Sequence, residues 1–296
     1  MLRIGCELRD GEQRPESFLE MGKIAKDIGA NTFQYILHIP EYKTKTKDRP
    51  ASSVKFDDED ISAFLKFAKA NGIDRYIAHA SQTMYLCAEN PKTRERSREI
   101  LRKDIKNLEH LPNALYVIHP DSRGKQSMEE GVEHVVNALK SVLTPEQTVT
   151  VLLETMSGST NEVGGRFEEI QAIIEGVTID NDMLSDKLGV CFDTCHVYAA
   201  GYDIVNDLDG VLKKFDCIIG LDRIKAVHLN DSKKDLGSKV DRHETIGDGE
   251  IGLEAFKRII NHPALRTLPF ILETRADKKE KDGYKREIEL LRELYD

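Results

Sequence analysis

A single (β/α)8 TIM barrel spanning residues 1–296, with a metal site at the C-terminal end of its strands, is the fold this sequence predicts, and three observations predict it. Strand-like apolar runs alternate eight times with amphipathic, charge-laced stretches, the order expected of parallel strands joined by crossover helices. Six of those runs close on a histidine or a carboxylate: IAHA at His79, LYVIHP at His119, TVTVLLET at Glu154, LGVCFD at Asp193, IKAVHLND at His228 and PFILET at Glu273. The two longest loops, after the second and seventh strands, both fall at carboxyl ends of strands, the face on which barrels carry function.

The elements follow in order. A first strand near Leu2–Glu7 leads to a helix near Ser17–Ile28, and a second near Thr32–Leu37 leads through the long loop PEYKTKTKDRPASSVKF to a helix near Asp57–Asn71. The third strand ends at His79 before a helix near Lys92–Leu111, and the fourth at His119 before a helix near Met128–Leu143. The fifth ends at Glu154 with a helix near Arg166–Glu175, and the sixth at Asp193 with a helix near Val205–Ile219. The seventh ends near Leu229, and a long polar loop precedes a short helix from Leu253. The eighth ends at Glu273, and a closing helix occupies Asp282–Leu294. No linker, low-complexity tract or repeat beyond the βα period interrupts this order.

The totals set bounds. The chain has 296 residues, 40% hydrophobic and 32% charged, ample for one core. No run approaches the ~18 apolar residues a membrane span needs. Charge interrupts the opening MLRIGCELRDGEQ too early for a signal peptide, so an intracellular location is expected: cytoplasm and nucleoid, nucleus, or a virion if the source is viral. Five scattered cysteines argue against a disulfide framework, and Cys191 and Cys195 read as buried, reduced thiols. A net charge of -9 argues against a general electrostatic DNA clamp but not against a nucleic-acid enzyme whose divalent cations offset local charge.

Three histidines and three carboxylates on one rim read as a multi-metal site. A lone charge at the end of a buried strand needs a partner, either an arginine or a cation. A single strand-end histidine is ordinarily a hydrogen-bonded core residue; six such groups on one mouth favour ligands. In CFDTCH, Asp193 and His196 can point toward neighbouring metals, or Asp193 can simply cap a helix. In VDRHE, Asp241 and His243 share a face of an extended segment, an arrangement that suits a zinc-like ion or a solvated loop pair.

Gly247, Gly249 and Gly252 satisfy G-x-G-x-x-G, yet the stretch ends a polar loop instead of following a strand, and Asp248 and Glu250 would repel a pyrophosphate. No nucleotide cofactor is expected. Lys43, Lys45, Lys47 and Arg49 make a basic loop after the second strand, readable as a solvated loop or as a grip on nucleic-acid phosphates.

The strings VLLET, CFDTCHVYAAGYD, HLNDSKKDLGSKVDRHETIGDGEIGLEAF and LET resemble endonuclease IV, the metal-dependent apurinic/apyrimidinic endonuclease family. They lie mainly between Val151 and Glu273, and the barrel order extends the resemblance over nearly the whole chain. The resemblance implies three Zn2+ per chain, with Mn2+ or Fe at one site as a variant. His79, His119 and Glu154 would hold one metal. Glu154 would bridge to a second, completed by Asp193, His228 and Glu273, and His196, Asp241 and His243 would hold the third. It implies hydrolysis of the phosphodiester 5′ to an abasic site, leaving a 3′-hydroxyl and a 5′-deoxyribose phosphate, with Glu154 catalytic. Cleaning of 3′-blocked ends is expected as well. The partner would be double-stranded DNA bearing abasic sites or 3′ blocks, bound by a monomer through Lys43, Lys45, Lys47, Gln82, Tyr85, Lys233 and Lys234. The opening IGCELRDG, the ASQTMYLCAEN segment after His79 and the loop after the second strand depart from the family's usual forms.

Two other classes fit part of this pattern. A sugar isomerase or epimerase uses strand-end Glu, Asp and His for one or two metals and has no need of His196, Asp241 and His243; metal stoichiometry separates the two. A noncatalytic damage-binding protein would bind abasic DNA without incising it.

Overall fold

The computed structural model describes residues 1–8, 15–43, 48–49, 51–274 and 283–296. Eight strands form one sheet: β1 (Ile4–Cys6), β2 (Thr32–Ile36), β3 (Arg75–His79), β4 (Leu115–Ile118), β5 (Thr150–Glu154), β6 (Leu188–Asp193), β7 (Ile224–His228) and β8 (Phe270–Leu272). Neighbours pair in parallel in sequence order from β2 through β8, and β8 pairs with β1. Closure comes from a parallel bridge between Glu7 and Gln34, with Leu8 N donating to Gln34 O at 2.9 Å. The ring is the TIM barrel that the sequence predicts.

Closure depends on Gly5, because a Cβ there would lie 1.8 Å from the Thr32 carbonyl oxygen. The backbones of β1 and β2 meet more closely than any side chain permits.

Helices α1 (Phe18–Asp27), α2 (Asp58–Asn71), α3 (Pro91–Leu108), α4 (Met128–Lys140) and α5 (Phe167–Thr178) follow β1 to β5, each after a polar start signal or a reciprocal cap. Asn90 caps α3 ahead of Pro91, and Ser127 with Glu130 forms a capping box on α4. After β6 the chain makes a short α6 (Thr194–Ala199) and then α7 (Leu208–Ile218), where the sequence predicts one helix from Val205. Helix α8 (Leu253–Asn261) follows β7 and α9 (Gly283–Glu293) follows β8. The predicted loop after β2 carries two small ladders, His38–Ile39 with Ser52–Ser53 and Tyr42–Lys43 with Asp48–Arg49. Short 3₁₀ turns at Asp182–Lys187 and Leu221–Arg223 precede β6 and β7 and carry too little periodicity to be read from sequence. Among the described residues, no helix is long and apolar enough to cross a membrane.

Two apolar layers result. The larger lies between strands and helices. The smaller fills the barrel with Ile77, Leu115, Val117, Leu152, Cys191, Ala226 and Ile271. Strand side chains alternate faces, so the residue two places on from an interior residue also points inward. Two places beyond Ile77, Val117, Leu152, Cys191, Ala226 and Ile271 stand His79, His119, Glu154, Asp193, His228 and Glu273. The barrel's dry plug and its polar mouth are successive layers of one alternation.

Candidate metal centre

The six strand-end groups converge with His196 from α6 and with Asp241 and His243 from the segment after β7. Ligand-type atoms of His79, His119 and Glu154 lie within 4.8 Å of one another, as do those of Glu154, Asp193, His228 and Glu273. Asp193, His196 and His243 form a third such group, and Asp241 joins His243 in a group with Cys195. Cys195, read from sequence as a buried, reduced thiol, therefore stands at the edge of the cluster.

Glu154 lies at the centre. Its Oε2 is 3.2 Å from His79 Nε2 and 3.0 Å from His119 Nε2, while its Oε1 is 3.1 Å from His228 Nδ1 and 3.2 Å from His196 Nδ1. His228 Nδ1 also lies 3.2 Å from Glu273 Oε2 and 3.7 Å from Asp193 Oδ2. Asp241 Oδ1 stands 3.4 Å from His196 Nε2 and 3.2 Å from His243 Nε2. Asp193 has the geometry for both readings of the sequence. Its Oδ1 caps α6 by accepting from His196 N at 2.7 Å, and its Oδ2 faces the cluster.

Burial opposes charge on the buried members of the cluster, and neighbouring groups answer it. Burial would raise the Glu154 pKa, but His228 and His119 beside it hold the carboxyl well below the usual range. Burial dominates at Asp193, whose pKa is raised. At Glu273, burial is outweighed by His228 and the value is lowered. Burial disfavours imidazolium at His79, His196 and His228, yet neighbouring acidic groups raise all three; burial opposes charge at His243 too, but with the Asp241 carboxylate 3.2 Å away it is pushed up to about 9. The field that draws protons to these rings equally draws metal cations.

The donor set fits such cations. Nε2 of His196 and of His243 are buried and hydrogen-bonded to nothing among the described residues. Each ring is held by its other nitrogen, Nδ1 of His196 on Thr155 O at 2.9 Å and Nδ1 of His243 on Glu273 O at 3.2 Å. His79 is tied likewise, Nδ1 to Ala80 O at 2.8 Å. This second tether, which fixes ring orientation, is the usual support of a metal-binding histidine.

The loop bearing Asp241 and His243 is clamped from below. Asp231 Oδ2 accepts from Gly247 N at 2.9 Å and Gly249 N at 3.1 Å, and its Oδ1 accepts from Ile251 N at 3.0 Å. The glycine-rich stretch thus wraps an internal carboxylate. Its resemblance to a phosphate-binding loop is real in backbone terms, since a nest of N–H groups takes an anion, but the anion is the protein's own. Glu287 on α9 adds a second hold, accepting from Ile246 N at 2.9 Å and from Thr274 Oγ1 at 2.6 Å.

Comparison with known proteins agrees with the fold. A family model described as a xylose isomerase-like TIM barrel matches residues 23–294. A relative from Clostridium botulinum named "Probable endonuclease 4" is 49% identical over 295 residues, covering 100% of this chain and 99% of its own. The crystal structure of endonuclease IV from Thermus thermophilus superposes with a TM-score of 0.76 at 31% identity, covering 99% of this chain and 98% of the other. The chain belongs to the endonuclease IV family. It is an enzyme of that type. A 3-keto-D-glucoside 4-epimerase from E. coli also superposes, with a TM-score of 0.66 at 14% identity, covering 99% of this chain and 100% of the other, which is likeness of fold alone.

Within this endonuclease IV scaffold the expected DNA-contacting residues are dispersed. Gln82 is exposed and Tyr85 is 41% exposed, on the loop after β3. Lys233 Nζ pairs with Glu244 at 3.0 Å, and Lys234 is exposed. Lys43 lies in the Tyr42–Lys43 ladder, and Lys45 and Lys47 lie outside the described residues. Sequence reasoning missed Gln34, Asn230 and Thr155. Asn230 Nδ2 donates to Asp193 Oδ2 at 2.7 Å and to Glu273 Oε2 at 3.2 Å, and Thr155 Oγ1 accepts from Asp193 N at 2.9 Å. The available signal was a polar residue inside or directly after an apolar strand, which burial obliges to find partners.

Proposed function

We propose that residues 1–296 act as one catalytic unit, a monomeric DNA-repair endonuclease that hydrolyses the phosphodiester 5′ to abasic sites in duplex DNA. The products are a 3′-hydroxyl and a 5′-deoxyribose phosphate, and 3′-blocked ends are cleaned by the same site. The observation that carries this reading is the gathering of nine donors, two of them buried imidazole nitrogens with no hydrogen bond among the described residues, on one barrel mouth.

Three zinc ions fit the donors, one at His79, His119 and Glu154, a second at Glu154, Asp193, His228 and Glu273, and a third at His196, Asp241 and His243; manganese or iron at one of them is compatible. Bound there, the ions supply Lewis-acid activation of water and charge stabilisation on phosphate oxygens. Four carboxylates against three divalent ions leave the mouth cationic, which suits a phosphodiester and not a neutral sugar. Glu154, reaching toward two donor groups with separate oxygens, holds them at a fixed spacing and accepts a proton-bearing nucleophile's hydrogen bond. An abasic nucleotide lacks the stacking and pairing that hold a normal one in the helix, so it enters a narrow mouth at little cost. Gln82, Tyr85, Lys233 and Lys234, with Lys43, Lys45 and Lys47 of the basic segment after β2, would meet the flanking duplex.

The test is incision of a labelled duplex bearing one abasic-site analogue, with metal content measured in parallel. Cleavage 5′ to the analogue, lost on stripping and restored by zinc at close to three ions per chain, is expected. Glu154→Gln should lower turnover by orders of magnitude while leaving the fold intact. Near-normal incision by that variant, or no incision by the fully metallated protein, overturns the proposal.

A further inference from the structure

Strand β2 supplies none of the nine donors, yet Gln34 in its middle is 0% exposed and touches two of them. Its Nε2 lies 2.6 Å from Glu273 Oε1, and its Oε1 lies 2.8 Å from His228 Nε2. Chemistry fixes which amide atom faces which neighbour. An ionised carboxylate only accepts, so the amide nitrogen must face Glu273. The amide oxygen then faces His228, and because an oxygen lone pair only accepts, His228 Nε2 must carry the proton. In a neutral imidazole, Nδ1 is then bare. That nitrogen lies 3.1 Å from Glu154 Oε1 and 3.2 Å from Glu273 Oε2.

His228 is therefore the inverse of its companions. His79, His196 and His243 spend Nδ1 on the backbone carbonyls of Ala80, Thr155 and Glu273 and present Nε2. No side-chain substitution removes those carbonyls. The His228 tether is a side chain, and it reaches across the barrel from a strand with no ligand of its own.

We propose that Gln34 is a positioning residue: its single amide selects the Nδ1-bare tautomer of His228 and holds Glu273, so that both donors address the same cation. This rests on the metal-centre reading above. One amide acting on two donors makes their alignment a joint property, and loss of a tether of this kind typically costs 10- to 100-fold in metal affinity.

The experiment compares full-length zinc-loaded wild type with Gln34→Leu and Gln34→Glu. Zinc release is followed against graded chelator, and histidine-nitrogen-labelled protein is read by NMR. In wild type, one imidazole should coordinate through Nδ1 with a protonated Nε2. Gln34→Leu should lose that signature and release one ion per chain at roughly 10- to 100-fold lower chelator strength, the remaining ions being unmoved. Gln34→Glu keeps an acceptor for His228 but faces Glu273 with like charge. It should retain the signature and still release that ion early, and its near-isosteric shape guards against misfolding in the leucine variant. Circular dichroism checks that each variant is folded. Release and signature unchanged in folded Gln34→Leu would overturn the inference. Fewer than three ions in wild type would sink the trinuclear reading alone, because the His228 signature and the release of the ion it holds are scored separately.

Discussion

Truncating Asp231 should free the loop that carries Asp241 and His243 while leaving the barrel standing. The carboxylate is fully buried and accepts from four backbone N–H groups, those of Ser232 at 2.8 Å, Gly247 at 2.9 Å, Gly249 at 3.1 Å and Ile251 at 3.0 Å. Hydrogen bonds to a charged group contribute about 1.5–3 kcal/mol each, and a buried N–H left unpaired costs about 1–3 kcal/mol. The four do not add, because the carboxylate also bears its own desolvation. Burial is the larger influence on its pKa, which is raised despite the N–H groups pulling it down. With loop relaxation, Asp231→Ala should cost roughly 3–5 kcal/mol, at the upper end for a point substitution, and Asp231→Asn about 1–2 kcal/mol. The loss should be local, since the clamp spans one loop. Amide hydrogen exchange reads it directly: Gly247, Gly249 and Ile251 should lose protection while the β5 and β6 amides keep theirs. Ser232 faces His243 across a two-residue antiparallel ladder, so metal content should fall by one ion per chain. Unchanged protection at those three amides in Asp231→Ala would refute the clamp.

Three further outcomes are expected. Gly5→Ala forces a Cβ to 1.8 Å from the Thr32 carbonyl oxygen and should cost more than about 4 kcal/mol, seen as insoluble or poorly folded protein; a soluble variant melting near wild type would show that the β1–β2 approach yields. Stripping the metals should lower the melting temperature and restoring zinc should raise it with concentration, because ligands that bind only the native state stabilise it by mass action; identical melts would dissociate the cluster from metal binding. Glu287 has its pKa raised by burial, so its contribution to stability is fully present below the unfolded value and is lost as pH rises through the folded one. Glu287→Gln should therefore gain on wild type between the ordinary carboxyl range and neutrality in urea unfolding, and a pH-independent difference would count against this.

The fold and most of the centre were legible because strand alternation is a strong code. A barrel strand buried on both faces reads as an apolar run, and the residue that breaks the run at its end is where the interior meets the mouth. His79, Glu154, Asp193 and His228 were found that way, and each stands two residues beyond an interior apolar side chain. The tethers were not legible for the converse reason. Gln34 looks like an ordinary polar residue within TFQYI, and only the closure of β1 onto β2 carries it to His228 and Glu273, 194 and 239 positions away. The predicted sixth helix is found as α7, but the short α6 before it was hidden: Asp193 starts a helix immediately after its strand, so cap and ligand signals coincide in one residue. The glycine pattern was legible as a backbone nest, but its occupant, Asp231, lies 16 residues before Gly247.

The order of the donors along the chain has a consequence for how the enzyme comes into being. They are dealt out from His79 to Glu273, and β8, which carries the last of them to the rim, must also seat between β7 and β1 to complete the ring. During synthesis, a chain still being extended toward β8 holds most of the donors but lacks both Glu273 and the wall that brings Gln34 to His228. On the proposed function, the donor set is completed only late in translation, and the growing polypeptide should be a poor nuclease until its barrel has shut.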